Sequence, residues 1–102
     1  MNILIDLVFK IQEKPGMYLS CFSVFTLKAF LDGWLFKEGF QSEGYILMND
    51  FQTFIIQKYN QNAVMSWDKI INLYANSEKD AMELFFKNFK DFLGDYRPLG
   101  AE

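Results

Sequence analysis

Ser77-Glu-Lys-Asp-Ala-Met-Glu-Leu-Phe-Phe-Lys-Asn-Phe-Lys-Asp-Phe-Leu-Gly-Asp-Tyr96 carries the clearest periodicity in this 102-residue chain. Ala81, Met82, Phe85, Phe86, Phe89, Phe92, Leu93 and Tyr96 recur at three and four residues, as the buried stripe of an amphipathic helix does. Ser77 suits the N-cap, and Asp80 three residues on makes an imperfect capping box, since the usual partner is Glu or Gln. Gly94 and Pro98 are expected to stop the helix. The spacing therefore predicts a helix over 77–94, with 95–102 as a C-terminal tail.

The same reading extends backward. Ser66 is a candidate N-cap for a short helix over 66–75 bearing Trp67, Ile70, Ile71 and Tyr74. Phe51, Phe54, Ile55 and Tyr59 stripe a helix over 50–60, begun by Asn49 or Asp50 and stopped by Asn60-Gln61-Asn62. Residues 40–48 carry Gly44 and no clear period, which predicts a loop with an extended piece near Tyr45-Ile46-Leu47. A helix over 23–38 starts at Ser23, carries Leu27, Phe30, Leu31, Trp34 and Leu35, and ends at Gly39, where glycine suits a cap of positive φ. Gly33 within it predicts close approach by a neighbouring helix, or else a notch for a partner's side chain. Ile3, Leu4, Leu7, Val8 and Ile11 stripe a first helix over 2–13. Lys14-Pro15-Gly16 ends it, and Gly16 after Pro15 suits a type II turn. The fold expected is all-α, a compact bundle of about five helices in one domain covering 1–102.

Composition narrows the chemistry. Half of the residues (51%) are hydrophobic and twelve are Phe, enough to fill a dense core and to argue against disorder. There is no histidine, which removes the commonest general base and transition-metal ligand. The single cysteine, Cys21, can form no internal disulfide and has no imidazole to activate it; a small buried residue is the expectation. No phosphate loop, dinucleotide fingerprint or calcium loop occurs, and no cofactor or metal is expected. The first ten residues lack the pattern of a secretory signal. No stretch reaches the ~18–20 apolar residues of a membrane span. Cytoplasmic residence follows as the expectation, with no membrane partner.

Carboxylates are the remaining chemistry. Asp80 and Glu83 share a helical face, but Glu83 stands four residues before Lys87, the favourable order for a surface ion pair, and Asp80 suits the helix N-terminus. An enzyme using Asp32, Asp80 and Glu83 stays open as one alternative. Binding is the better class. With ten basic and thirteen acidic residues the formal charge is −3 and the basic residues are scattered, so a direct nucleic-acid partner is not expected and a basic protein surface is. Residues outside the apolar stripes are the candidate contacts: Tyr18, Asp32, Trp34, Glu38, Glu43, Glu78, Asp80 and Glu83. Self-association through Trp34 or Trp67 is the competing reading.

The run Lys14-Pro15-Gly16-Met17-Tyr18-Leu19, followed by Leu27-Lys28-Ala29-Phe30-Leu31-Asp32-Gly33-Trp34, resembles a group of small bacterial helical proteins with a PGMYL signature. Their later helices are matched by Phe51-x-x-Phe54 with Tyr59, by Trp67-x-x-Ile70-Ile71, and by Ser77 with Ala81, Phe85 and Phe86. Ser20 departs from the group's glycine after Leu19. The group includes immunity proteins of contact-dependent growth inhibition and related polymorphic toxin systems. The resemblance thus implies an immunity protein that binds a cognate toxin domain, often a nuclease with a basic cleft, by stoichiometric occlusion. The shared residues are core and turn positions, so the resemblance speaks for a common fold before a common target, and no contact residue is carried over from it.

Overall fold

The computed structural model describes residues 2–61 and 64–96. They form five helices and, among the described residues, no strand: α1 (Ile3–Glu13), α2 (Val24–Glu38), α3 (Glu43–Tyr59), α4 (Trp67–Leu73) and α5 (Glu78–Asp95), with a 3-10 turn, Pro15–Met17, after α1. The all-α bundle expected from periodicity is the fold. No helix of the described residues is long and apolar enough to cross a membrane.

Side-chain caps explain most of the helix starts. Asn2, Ser23, Ser42 and Ser77 each accept a backbone N–H from the first turn of α1, α2, α3 and α5, satisfying donors that have no partner inside the helix. The fifth start differs. Ser66 holds the N-cap position of α4 without making a cap bond. Instead the Gln52 side chain of α3 accepts the Trp67 N–H at 2.7 Å and donates to the Met65 carbonyl at 2.9 Å. The start of α4 is thereby fixed by α3.

Three local expectations are corrected. Residues 43–48 are helix, not loop or extended chain: α3 begins at Glu43 with Ser42 as its cap, and Gly44, Leu47, Met48, Phe51 and Ile55 form its buried stripe. Gly44 is small because it must be. A Cβ there would stand 3.1 Å from Leu4 Cβ and 3.3 Å from Leu35 Cδ2, where α1, α2 and α3 meet. Gly33, expected at such a junction, instead lies on the exposed side of α2, with nothing within 4 Å of a Cβ placed on it. The Pro15-Gly16 pair forms a 3-10 turn, with Met17 N–H to Lys14 O and Tyr18 N–H to Pro15 O, and Gly16 does not take positive φ. A first helical position suits proline, whose fixed φ is already helical. Gly39 does take positive φ, +100°, at the end of α2, and Asn60 takes the left-handed conformation at the end of α3. Asn62, Pro98 and most of the expected tail lie outside the described residues. Asp95 belongs to α5, and Tyr96 packs on Phe92 with ring centroids 4.8 Å apart.

α3 touches all four other helices. Fully buried Phe51 stands at the centre, with Trp67, Phe85, Phe89 and Phe92 at 5.5–5.6 Å between ring centroids, all edge-on. Such edge-to-face contacts add to the gain from burying the rings. α5 runs antiparallel to α3: Tyr96 O–H donates to Asp50, and Asn88 donates to the Tyr59 hydroxyl at 2.9 Å. Asn88 is fully buried and its carbonyl oxygen accepts from Lys58, which also reaches Asp91 at 3.5 Å. Among the described residues no buried side-chain polar atom lacks a partner.

Candidate interaction surface

The eight candidate contact residues fall into separate places. Tyr18 and Trp34 are half-buried. The Tyr18 ring meets Phe30 edge-on at 6.2 Å, and the Trp34 ring reaches to 3.5 Å from the Cβ position of Gly44, so both serve the packing of α2. Trp67 is 3% exposed and belongs to the core, which removes it as a self-association residue.

The acids sit at opposite ends of the bundle. Glu38 closes α2 and Glu43 opens α3, on either side of a four-residue connection. Glu78, Asp80 and Glu83 lie in the first turns of α5, which project beyond the other end of α3 because the two helices are antiparallel and Asn88 is level with Tyr59. α3 has 17 residues, so it separates the two groups by about 25 Å. Asp80 is committed to structure. Its N–H goes to the Ser77 hydroxyl and its carboxylate accepts the Asn76 N–H at 2.8 Å, one residue earlier than a true capping box. Asp32 is bound by Lys28 at 2.6 Å. Glu38, Glu43, Glu78 and Glu83 are exposed and take part in none of the salt bridges of the described residues. The expected Glu83–Lys87 pair is thus not formed.

Two open clefts mark the surface. One, of about 360 Å³, lies between α2, α3 and α4 and includes Asp32, Lys28, Tyr45, Asn49 and Trp67. The other, of about 410 Å³, lies between α1 and α5, with Met82 and Phe86 beneath and Glu83, Lys87 and Lys90 at its edge. Each contains a single carboxylate and Asp80 lines neither, so Asp32, Asp80 and Glu83 are not gathered as a shared acid–base site would require. Among the described residues no group of three or more cysteines and carboxylates is placed to hold a metal ion. Cys21 is exposed rather than buried, in the connection before α2, with its sulfur 2.9 Å from the Thr26 hydroxyl.

The apolar part of the surface is not announced by the stripes. Phe25, Phe36 and Phe40 are 44%, 78% and 68% exposed. The signal was present in α2, where apolar residues occur on both faces and a mean stripe cannot tell inside from outside. No protein-family model matches this chain, and no curated protein or solved structure matches it either.

Proposed function

We propose that this protein acts by stoichiometric binding, as an immunity protein that covers a basic surface of a bacterial toxin domain, a nuclease being the class best suited to its charge. One observation carries the reading: four exposed glutamates, Glu38, Glu43, Glu78 and Glu83, have no salt-bridge partner among the described residues. Unneutralised carboxylates on a chain of net charge −3 raise the encounter rate with a basic partner. The absence of histidine and the single thiol agree with a role that needs no turnover. The resemblance to the PGMYL group supplies the biological context.

The test is co-expression with the toxin domain encoded immediately upstream. A 1:1 complex should co-purify and growth should be rescued; neither outcome occurring would sink the reading. The two acidic ends lie further apart than the ~8 Å over which exposed charges act at physiological salt, so one toxin surface should feel mainly one end. Stopped-flow association at physiological salt should therefore slow measurably for one pair, Glu38→Gln with Glu43→Gln or Glu78→Gln with Glu83→Gln, and change little for the other.

A further inference from the structure

We infer that the outer face of α2 is a self-association surface, on which a second copy of this chain packs its own α2 antiparallel about a two-fold axis. The inner face of α2 is filled by Val24, Leu27, Leu31 and Leu35, all buried. The opposite side carries Phe25, Ala29, Gly33 and Phe36, spaced by four, four and three residues, and all four are exposed. That is helical spacing for one continuous stripe. A surface helix normally turns charged and polar residues to this side.

The order along the stripe is large, small, small, large. Reversed, it reads the same. An antiparallel copy centred between residues 30 and 31 therefore sets Phe25 of one chain beside Phe36 of the other, while Ala29 and Gly33 let the backbones approach at the centre. The open space over Gly33 is where such an approach would occur. A two-fold contact must be self-complementary in this way.

Charge gives an independent argument for the same partner and direction. Lys28 and Asp32 flank the stripe on one side and already pair within the chain. About that same centre, Lys28 of one copy lies level with Asp32 and Gly33 of the other, and Asp32 with Lys28 and Ala29. Two intrachain pairs then join into a four-charge network with no like charges opposed. A parallel two-fold copy would put the two Lys28–Asp32 flanks on opposite sides of the contact, where neither pair could reach the other.

Sedimentation equilibrium of the purified chain from low to high micromolar concentration tests this. The expected mass rises from 12.0 kDa toward twice that value. Phe36→Glu and, separately, Phe25→Glu should hold it at the monomer; both sites are exposed, and unchanged helical circular dichroism confirms that each variant folds. Lys28→Asp alone or Asp32→Lys alone should weaken the dimer at least tenfold, and the double swap should restore it. A wild-type chain that stays monomeric throughout, a dimer indifferent to both Phe variants, or a double swap as weak as the single ones overturns the inference. None of these outcomes depends on whether a toxin is bound.

Discussion

Gly33 and Gly44 show how little a residue's identity says without its direction. Both are glycines in helices, yet one lies in open space and the other is wedged among Leu4, Leu35 and Trp34. Alanine at Gly33 gains helix propensity and restricts the unfolded chain without a clash. Gly33→Ala should stabilise the fold by about 0.5–1 kcal/mol. At Gly44 the nearest atom is Leu4 Cβ, close to the α1 backbone and unable to swing aside. Gly44→Ala should cost about 1–2 kcal/mol, as overpacking does. Urea denaturation of both variants, at a concentration that keeps the chain monomeric, checks the pair, and midpoints that move in the same direction would contradict it. The expectation that Gly33 sits at a helix junction failed because α2 is apolar on both sides, so spacing alone could not say which side faced inward.

Helix starts were legible where a cap and a stripe agreed. α5 is legible nearly to the residue because Ser77 and six buried apolar positions tell one story. α3 was begun about seven residues late, because Gly44 looked like a loop signal although it holds a place in the buried stripe. For α4 the sequence named the right position and the wrong bond: Ser66 stands at the cap, but its hydroxyl donates to Asp68 at 2.5 Å and Gln52 takes the backbone N–H. This distinction predicts unequal effects. Ser77→Ala removes a true cap and should cost about 1 kcal/mol. Gln52→Ala strips partners from the Trp67 N–H and the Met65 carbonyl together, and should cost about 1–3 kcal/mol. Thermal denaturation of the two variants orders them, and Gln52→Ala melting no lower than Ser77→Ala would contradict the reading.

At the scale of the whole molecule, the antiparallel pairing of α3 with α5 rests on bonds between residues 29 to 46 apart in sequence, which no local pattern announces. Asn88 is a polar residue at a buried position of α5, and spacing names neither it nor its partners Lys58 and Tyr59. The far end of this pairing has a titratable member. Tyr96 is pushed up from 10.0 to about 12, first by burial of its ring and then by donating to the Asp50 carboxylate. The neutral phenol is the form the fold prefers. Its contribution is therefore complete below pH 10.0, the unfolded value, and is lost as pH rises through about 12. Wild type and Tyr96→Phe should accordingly differ little in pH dependence at neutral pH and diverge in strong alkali, where only wild type has the phenol to deprotonate. The tyrosinate absorbance of wild type minus that of Tyr96→Phe should rise with a midpoint near 12 while the chain remains folded. A midpoint near 10.0 would mean that neither the burial of Tyr96 nor its Asp50 contact persists in solution, leaving the Asn88 and Lys58 contacts and the rings to join α5 to α3.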